Sequence, residues 1–139
     1  MTENTRVSPP VLVRGTVTFP DHASFMKGAL ARVVLQDVSM ADAPATDIVD
    51  TVIALDSAAP FKFELRGGVR ICGNGPSPSF AVSVHVRLVL NSRQPGIDAN
   101  TPIENGDYIN MSAYPVEIDT NNPADLSIEV FEVGRIYAH

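Results

Sequence analysis

Residues 81–88 read "AVSVHVRL", Ala81 to Leu88, and this stretch decides the fold. Val82, Val84, Val86 and Leu88 fall on one parity, while Ser83, His85 and Arg87 fall on the other. Side chains of an extended chain alternate between faces, so a period of two means a strand with one apolar side. A helix would bring apolar residues back every three or four positions. The apolar row continues to Leu90.

The same period recurs on both sides of it. Val11, Val13, Val17 and Phe19 alternate with Leu12, Arg14, Thr16 and Thr18. Ala31, Val33 and Leu35 alternate with Arg32, Val34 and Gln36, and Val49, Thr51, Ile53 and Leu55 form a third run. Phe61, Phe63 and Leu65 against Lys62, Glu64 and Arg66 is the cleanest half-buried pattern. Gly67-Gly68 then reads as a turn, with "VRIC" as a short partner strand. Ile109, Met111 and Ala113 are expected inward, and after Pro115 the apolar parity flips to Val116 and Ile118. A proline cannot donate to a ladder, so 107–118 reads as an edge or a bulge. Leu126, Ile128 and Val130 make the last strand.

Seven or eight strands separated by Pro, Gly, Asn and Asp, with no helix to carry a parallel crossover, predict an all-β, antiparallel β-sandwich. "DHASFMKGAL" is the one candidate helical turn, and Gly28 weakens it. The expected core is Val33, Leu35, Phe61, Phe63, Val82, Val84, Val86, Ile109 and Met111. The domain spans 11–133, after a disordered N-terminal segment at 1–10 and before a frayed tail at 134–139.

At 139 residues the chain is long enough for one domain with its own core. A net charge of −6, with two lysines and eight scattered arginines, excludes a non-specific nucleic-acid binder, which needs clustered cations. The single cysteine, Cys72, excludes an intrachain disulfide and a Cys-rich zinc site. No stretch reaches the roughly 18 apolar residues of a membrane span. "MTENTRVSPP" has no secretory pattern, so the sequence as written reads as cytoplasmic.

"LQDVSMADAP", Leu35 to Pro44, is where strand pattern gives way to a polar corner. Alternation from Val33 and Leu35 puts Asp37 on the buried face, where a carboxylate needs partners. The local chemistry supplies them: an Asx-type turn at Ser39-Met40, with Asp42 as a second turn residue and Pro44 launching the next strand. Asp37, Ser39, Asp42 and Pro44 are therefore read as structural turn residues.

This corner, with "GTVTF" at 15–19, "PFKFEL" at 60–65, the 81–88 strand and "AYPVEI" at 113–118, resembles the YbaY/YscW-like family across roughly 15–133. These are small bacterial β-sandwich proteins, often lipoproteins, and they include pilotins of type III secretion. The resemblance implies a sandwich fold and a non-enzymatic, envelope-associated or chaperone-like role. It brings no catalytic residues, and no lipobox stands in the sequence as written.

The residues agree with a non-enzymatic reading. His85 lies in a row with Ser83 and Arg87 on a polar strand face, with no carboxylate in that row to orient the imidazole. His22 follows Asp21 in a turn, His139 is terminal, and no paired-His metal spacing occurs. "GNGPSP" lacks the helix and lysine of a phosphate cradle, and Cys72 reads as a small end-of-strand hydrophobe. Asp98, Asn100, Glu104 and Asp107 are oxygen donors in the long 91–106 loop and its flank, but they fail the EF-hand pattern. No metal and no cofactor is expected. The primary expectation is a binding or assembly module for a protein partner, touching it through Val34, Val38, Tyr108, Asn110 and Tyr114. A small-ligand binder with a pocket between sheets and a homodimer through an edge strand are the alternatives.

Overall fold

The computed structural model describes residues 9–21, 23, 29–39, 44–67, 79–88, 96–119 and 121–134. Among them are nine strands: β1 (Val11–Thr18), β2 (Ala29–Asp37), β3 (Thr46–Leu55), β4 (Phe61–Arg66), β5 (Phe80–Leu88), β6 (Tyr108–Ile109), β7 (Pro115–Val116), β8 (Ala124–Glu129) and β9 (Phe131–Glu132). The three-stranded sheet runs β4-β1-β8 and the six-stranded sheet β3-β2-β5-β6-β9, with β7 also on β5. The two pack face to face, as alternation predicts for strands with one apolar side.

Val13, Val17, Phe63, Leu65 and Ile128 come from the smaller sheet. They meet Ala31, Val33, Leu35, Val82, Val84 and Val86 of the larger. Leu12 is also fully buried, against the simple parity of β1. The β1–β4 register shifts between Val11 and Val13, and such a bulge lets two consecutive residues enter the core.

β1 and β8 pair in parallel, where an antiparallel sandwich was expected throughout. The crossover that a parallel pair requires is long: between β1 and β8 the chain passes through β2 and β3 of the larger sheet, returns to β4 beside β1, and crosses again to β5–β7. Gly15 is central to that pairing, opposite both Phe63 and Leu126. A Cβ there would stand 2.5 Å from the Leu126 carbonyl oxygen and 2.9 Å from the Phe63 ring.

The parity expected beyond β5 is reversed. Tyr108 pairs with Val86 and shares its inward face, where its ring meets Phe19 edge-on with centroids 5.4 Å apart. Ile109, paired with His85, is half-buried on the outer face, and Met111 is exposed. Phe61 is half-buried at the margin of the core. "VRIC", Cys72, "GNGPSP", His22, Asp42 and His139 lie outside the described residues, as do most of "DHASFMKGAL" and all of 91–95.

The segment around Pro115 lies beside β5, and β7, which among the described residues pairs with β5 alone, is an edge of the sheet there. β6 pairs with β5 at His85 and Val86, and β7 pairs at Phe80 and Ala81. Between them the chain bows away, and two substitutes complete the ladder. Val84 N–H donates to the Asn110 side-chain Oδ1 at 2.8 Å, and Val82 N–H donates to the Tyr114 carbonyl at 3.0 Å. Asn110 thereby stands in for a missing strand carbonyl.

Candidate functional site

Of the corner's expected turn residues, Asp37, Ser39 and Pro44 are described, and the expected burial of Asp37 is corrected. Asp37 ends β2 and is partly exposed, because the strand runs out of the core before reaching it. Its Oδ1 accepts from the Ser39 backbone N–H at 2.9 Å and from the Ser39 hydroxyl. These two bonds, the hydroxyl first, hold the Asp37 carboxyl below its ordinary pKa. The Ser39 Oγ in turn accepts from the Ser79 N–H at 2.8 Å, tying the corner to the start of β5. Pro44 is exposed two residues before β3.

Chemistry-bearing side chains gather instead on the outer face of the six-stranded sheet. The β2 row there is Arg32, Val34 and Gln36, opposite His85, Ser83 and Ala81 of β5 and Val52, Asp50 and Asp47 of β3. Arg32 donates from Nε to Asp50 at 2.7 Å and from Nη2 to Asp47 at 2.8 Å. Gln36 donates its amide to Asp47 at 3.0 Å and accepts the Ser83 hydroxyl at 2.9 Å. A hydrogen-bonded chain thus crosses three strands. Burial opposes the charge on Arg32, but the bonds and charges of Asp47 and Asp50 outweigh it and raise its pKa. Asp47 is held below the usual carboxylate range, first by the Gln36 bond and then, against burial, by Arg32.

The polar row of β5 is covered, contrary to the solvated face expected of it. Arg87 is buried and His85 half-buried, because the segment from 96 to 107 folds back over them. Asp107 is the carboxylate missing from the row in sequence: its Oδ2 lies 2.7 Å from His85 Nε2. An ionised carboxylate only accepts, so that imidazole nitrogen carries the proton. The same oxygen accepts from the Glu104 N–H at 3.0 Å and faces Arg87 Nη2 at 3.3 Å. Arg87 also pairs with Glu104 at 2.8 Å and donates to the Pro102 carbonyl. Ser83 gives its proton to Gln36, so the Ser83–His85 proximity does not assemble a nucleophile and its base.

Between the two polar clusters runs a groove of about 300 Å³. Arg32, Val34, Gln36 and His85 are on its floor, and Ala99, Thr101 and Ile103 of the folded-back segment form one wall. Of the expected contact residues, Val34 lies on this face but is covered, at 3% exposure, and Tyr108 is buried on the opposite face. Asn110 borders the groove while its side chain serves the β5 ladder. The Tyr114 hydroxyl accepts the Glu129 N–H at 3.0 Å, linking the two sheets, and Val38 is exposed. Ile103 and Val52 are exposed apolar side chains on or beside this face that strand alternation did not single out.

Among the described residues, no group of three or more His, Cys, Asp or Glu side chains is placed to hold a metal ion. None of their helices is long and apolar enough to cross a membrane.

Comparison with known proteins gives two findings. Residues 8–94 match the family model described as the type III secretion system lipoprotein chaperone, YscW. Among solved structures, an alternative pilotin from the type II secretion system of Vibrio cholerae superposes with a TM-score of 0.59 at 21% identity. That match covers 88% of this chain and 96% of the pilotin, and at this identity it speaks for the fold alone. No curated protein matches.

Proposed function

We propose a function from one premise: this chain belongs to the YscW family of type III secretion lipoprotein chaperones. It is a non-enzymatic accessory protein that binds a partner polypeptide, in the manner of a chaperone or pilotin, and it serves an envelope secretion apparatus. The observation that carries this reading is the family match across 8–94, which takes in β1–β5, the larger part of both sheets. The geometry supports it in two ways. The outer face of the larger sheet presents a groove with an apolar rim, open to an incoming segment. The polar side chains around the groove are spent on one another, in bonds that shape a surface.

The test is co-purification from the native host, with the full chain tagged and the secretion components expressed together. A partner polypeptide recovered at fixed stoichiometry, and lost when the groove is altered, supports the reading. A protein that purifies alone, and whose melting temperature rises with a small metabolite, places it among small-ligand binders instead.

A further inference from the structure

Resting on that reading, we infer that the partner segment is cationic and apolar together, a stretch in which Lys or Arg residues flank hydrophobic ones. It lies in the groove over β2 and β5, beside the 98–103 wall. The charge distribution argues this. Among the described residues around the groove, Asp47, Asp50, Asp98, Glu104 and Asp107 stand with Arg32 and Arg87, five carboxylates to two guanidiniums. On the outer face of the three-stranded sheet, Arg14, Lys62 and Arg66 balance Glu64, Asp125 and Glu129. Among the described residues, one face of the sandwich carries an acidic excess and the other is balanced.

The depth of the charges sharpens the contrast. The Arg32 and Arg87 side chains are 10% and 5% exposed, whereas their partners Asp50 and Glu104 are 45% and 60% exposed. The cations sit below the surface with Asp107, while Asp47, Asp50 and Glu104 reach outward. An approaching segment therefore meets negative potential, which steers cations and rejects anions. It also disfavours a second copy of this chain docking by the same face, since like charges would be opposed. Ile103 and Val52, at 55% and 47% exposure, supply apolar contact on either side of Arg32. A partner with apolar residues alone would leave the excess negative charge of the outward carboxylates unmatched, and a polar one would leave Ile103 in water.

Two synthetic amphipathic peptides of identical leucine content, one with lysines and one with glutamates, test the inference on the isotope-labelled full chain. The lysine peptide is expected to move the amide resonances of 32–36, 83–85 and 98–103 and to weaken as salt rises from about 50 to about 500 mM, where screening shortens to a few ångströms. Asp50→Asn with Glu104→Gln, and separately Ile103→Ser, should each weaken it on the order of five- to tenfold. Equal binding of the glutamate peptide, perturbation centred on 14–16 and 62–64, or no perturbation by either peptide would overturn it. Co-purification separates this inference from the reading beneath it. If the native partner is captured equally by wild type and by these variants, the groove is the wrong face while the accessory function stands. If wild type captures no partner, both fall.

Discussion

His85 and Asp107 lie 22 positions apart in the chain and meet at 2.7 Å across the outer face of the larger sheet. The contact decides where the 96–107 segment lies. Asp107 begins the approach to β6, and holding its carboxylate against β5 pulls the preceding residues over His85 and Arg87. One buried carboxylate thus holds the wall of the groove, together with the bonds of Arg87 to Pro102 and Glu104.

Removing that carboxylate should cost more than a surface substitution. Asp107→Ala leaves the Arg87 guanidinium, the His85 ring and the Glu104 N–H without a shared acceptor in a site that is 5% exposed. Breaking a buried charge network by deleting one partner costs about 3–5 kcal/mol. Urea unfolding should show this as a lower midpoint at unchanged slope, and a midpoint matching wild type would mean the segment is held by other contacts.

Gly15→Ala tests the parallel pairing. The added methyl has backbone on one side, the Leu126 carbonyl at 2.5 Å, and the Phe63 ring at 2.9 Å on the other. A ring can shift, whereas a carbonyl in a ladder cannot do so without moving β8. Overpacking of this kind costs about 1–3 kcal/mol. Thermal melting of the variant should fall accordingly, and Gly15→Val should fall further.

Val34 and Val52 occupy the same sheet face, yet their substitutions should differ in kind. Val34→Glu places a carboxylate at a position 3% exposed, beside Arg32, which already holds two carboxylates. The expected cost is several kcal/mol, about 3 or more. Val52→Glu, at 47% exposure, should change stability by no more than about 0.5 kcal/mol. Only the second is a fair probe of partner binding, and chemical denaturation of both proteins checks the distinction.

Much of this architecture is legible from period-two alternation, because each long strand buries one face and the opposite parity has nowhere else to go. Val33, Leu35, Phe63, Val82, Val84 and Val86 are buried for that reason. The reading breaks down where strands are two residues long, since β6 offers too few positions to fix a parity. Tyr108 and Met111 exchange their expected roles there. The site was less legible still. A carboxylate that orients a histidine from 22 residues away leaves no local spacing, and alternation assigns Ser83, His85 and Arg87 to solvent without knowing what folds over them. One signal was present: "ENGD" at 104–107 combines acceptors with a turn glycine next to a strand, and Gly106 adopts φ +95° to bring Asp107 round.

Acid should loosen the β2–β3 edge only below the usual carboxylate range. Asp47 has its pKa lowered in the folded protein, so its contribution to stability is fully present above the unfolded value of about 3.9. That contribution is lost as pH falls through the lower folded value. With Asp47 partly open to solvent, the energy involved is small. Asp47→Asn should flatten the loss of stability between about pH 4 and pH 2 while leaving the neutral-pH midpoint nearly unchanged. Acid titrations followed by circular dichroism would show the difference, and superimposable curves would remove Asp47 from the acid transition.

The oxygen-rich stretch from Asp98 to Asp107 should be indifferent to calcium, because its oxygens already have partners. Asp98 Oδ1 accepts the Asn100 N–H at 2.8 Å and the Thr101 hydroxyl at 3.1 Å, closing a turn on itself. The Asp107 carboxylate is shared among His85, Arg87 and the Glu104 N–H. Glu104 is paired outward to Arg87. A calcium ion needs six to eight oxygens converging at about 2.3–2.6 Å, so these side chains would have to abandon one cluster to join another. Arg87 would then be left in a dry site without its carboxylates, a cost comparable to that of deleting Asp107. The melting temperature should accordingly be the same in EDTA and in millimolar calcium. A rise with calcium that Asp98→Asn abolishes would show that the loop can reorganise around a cation, and the groove wall would then be a switchable element.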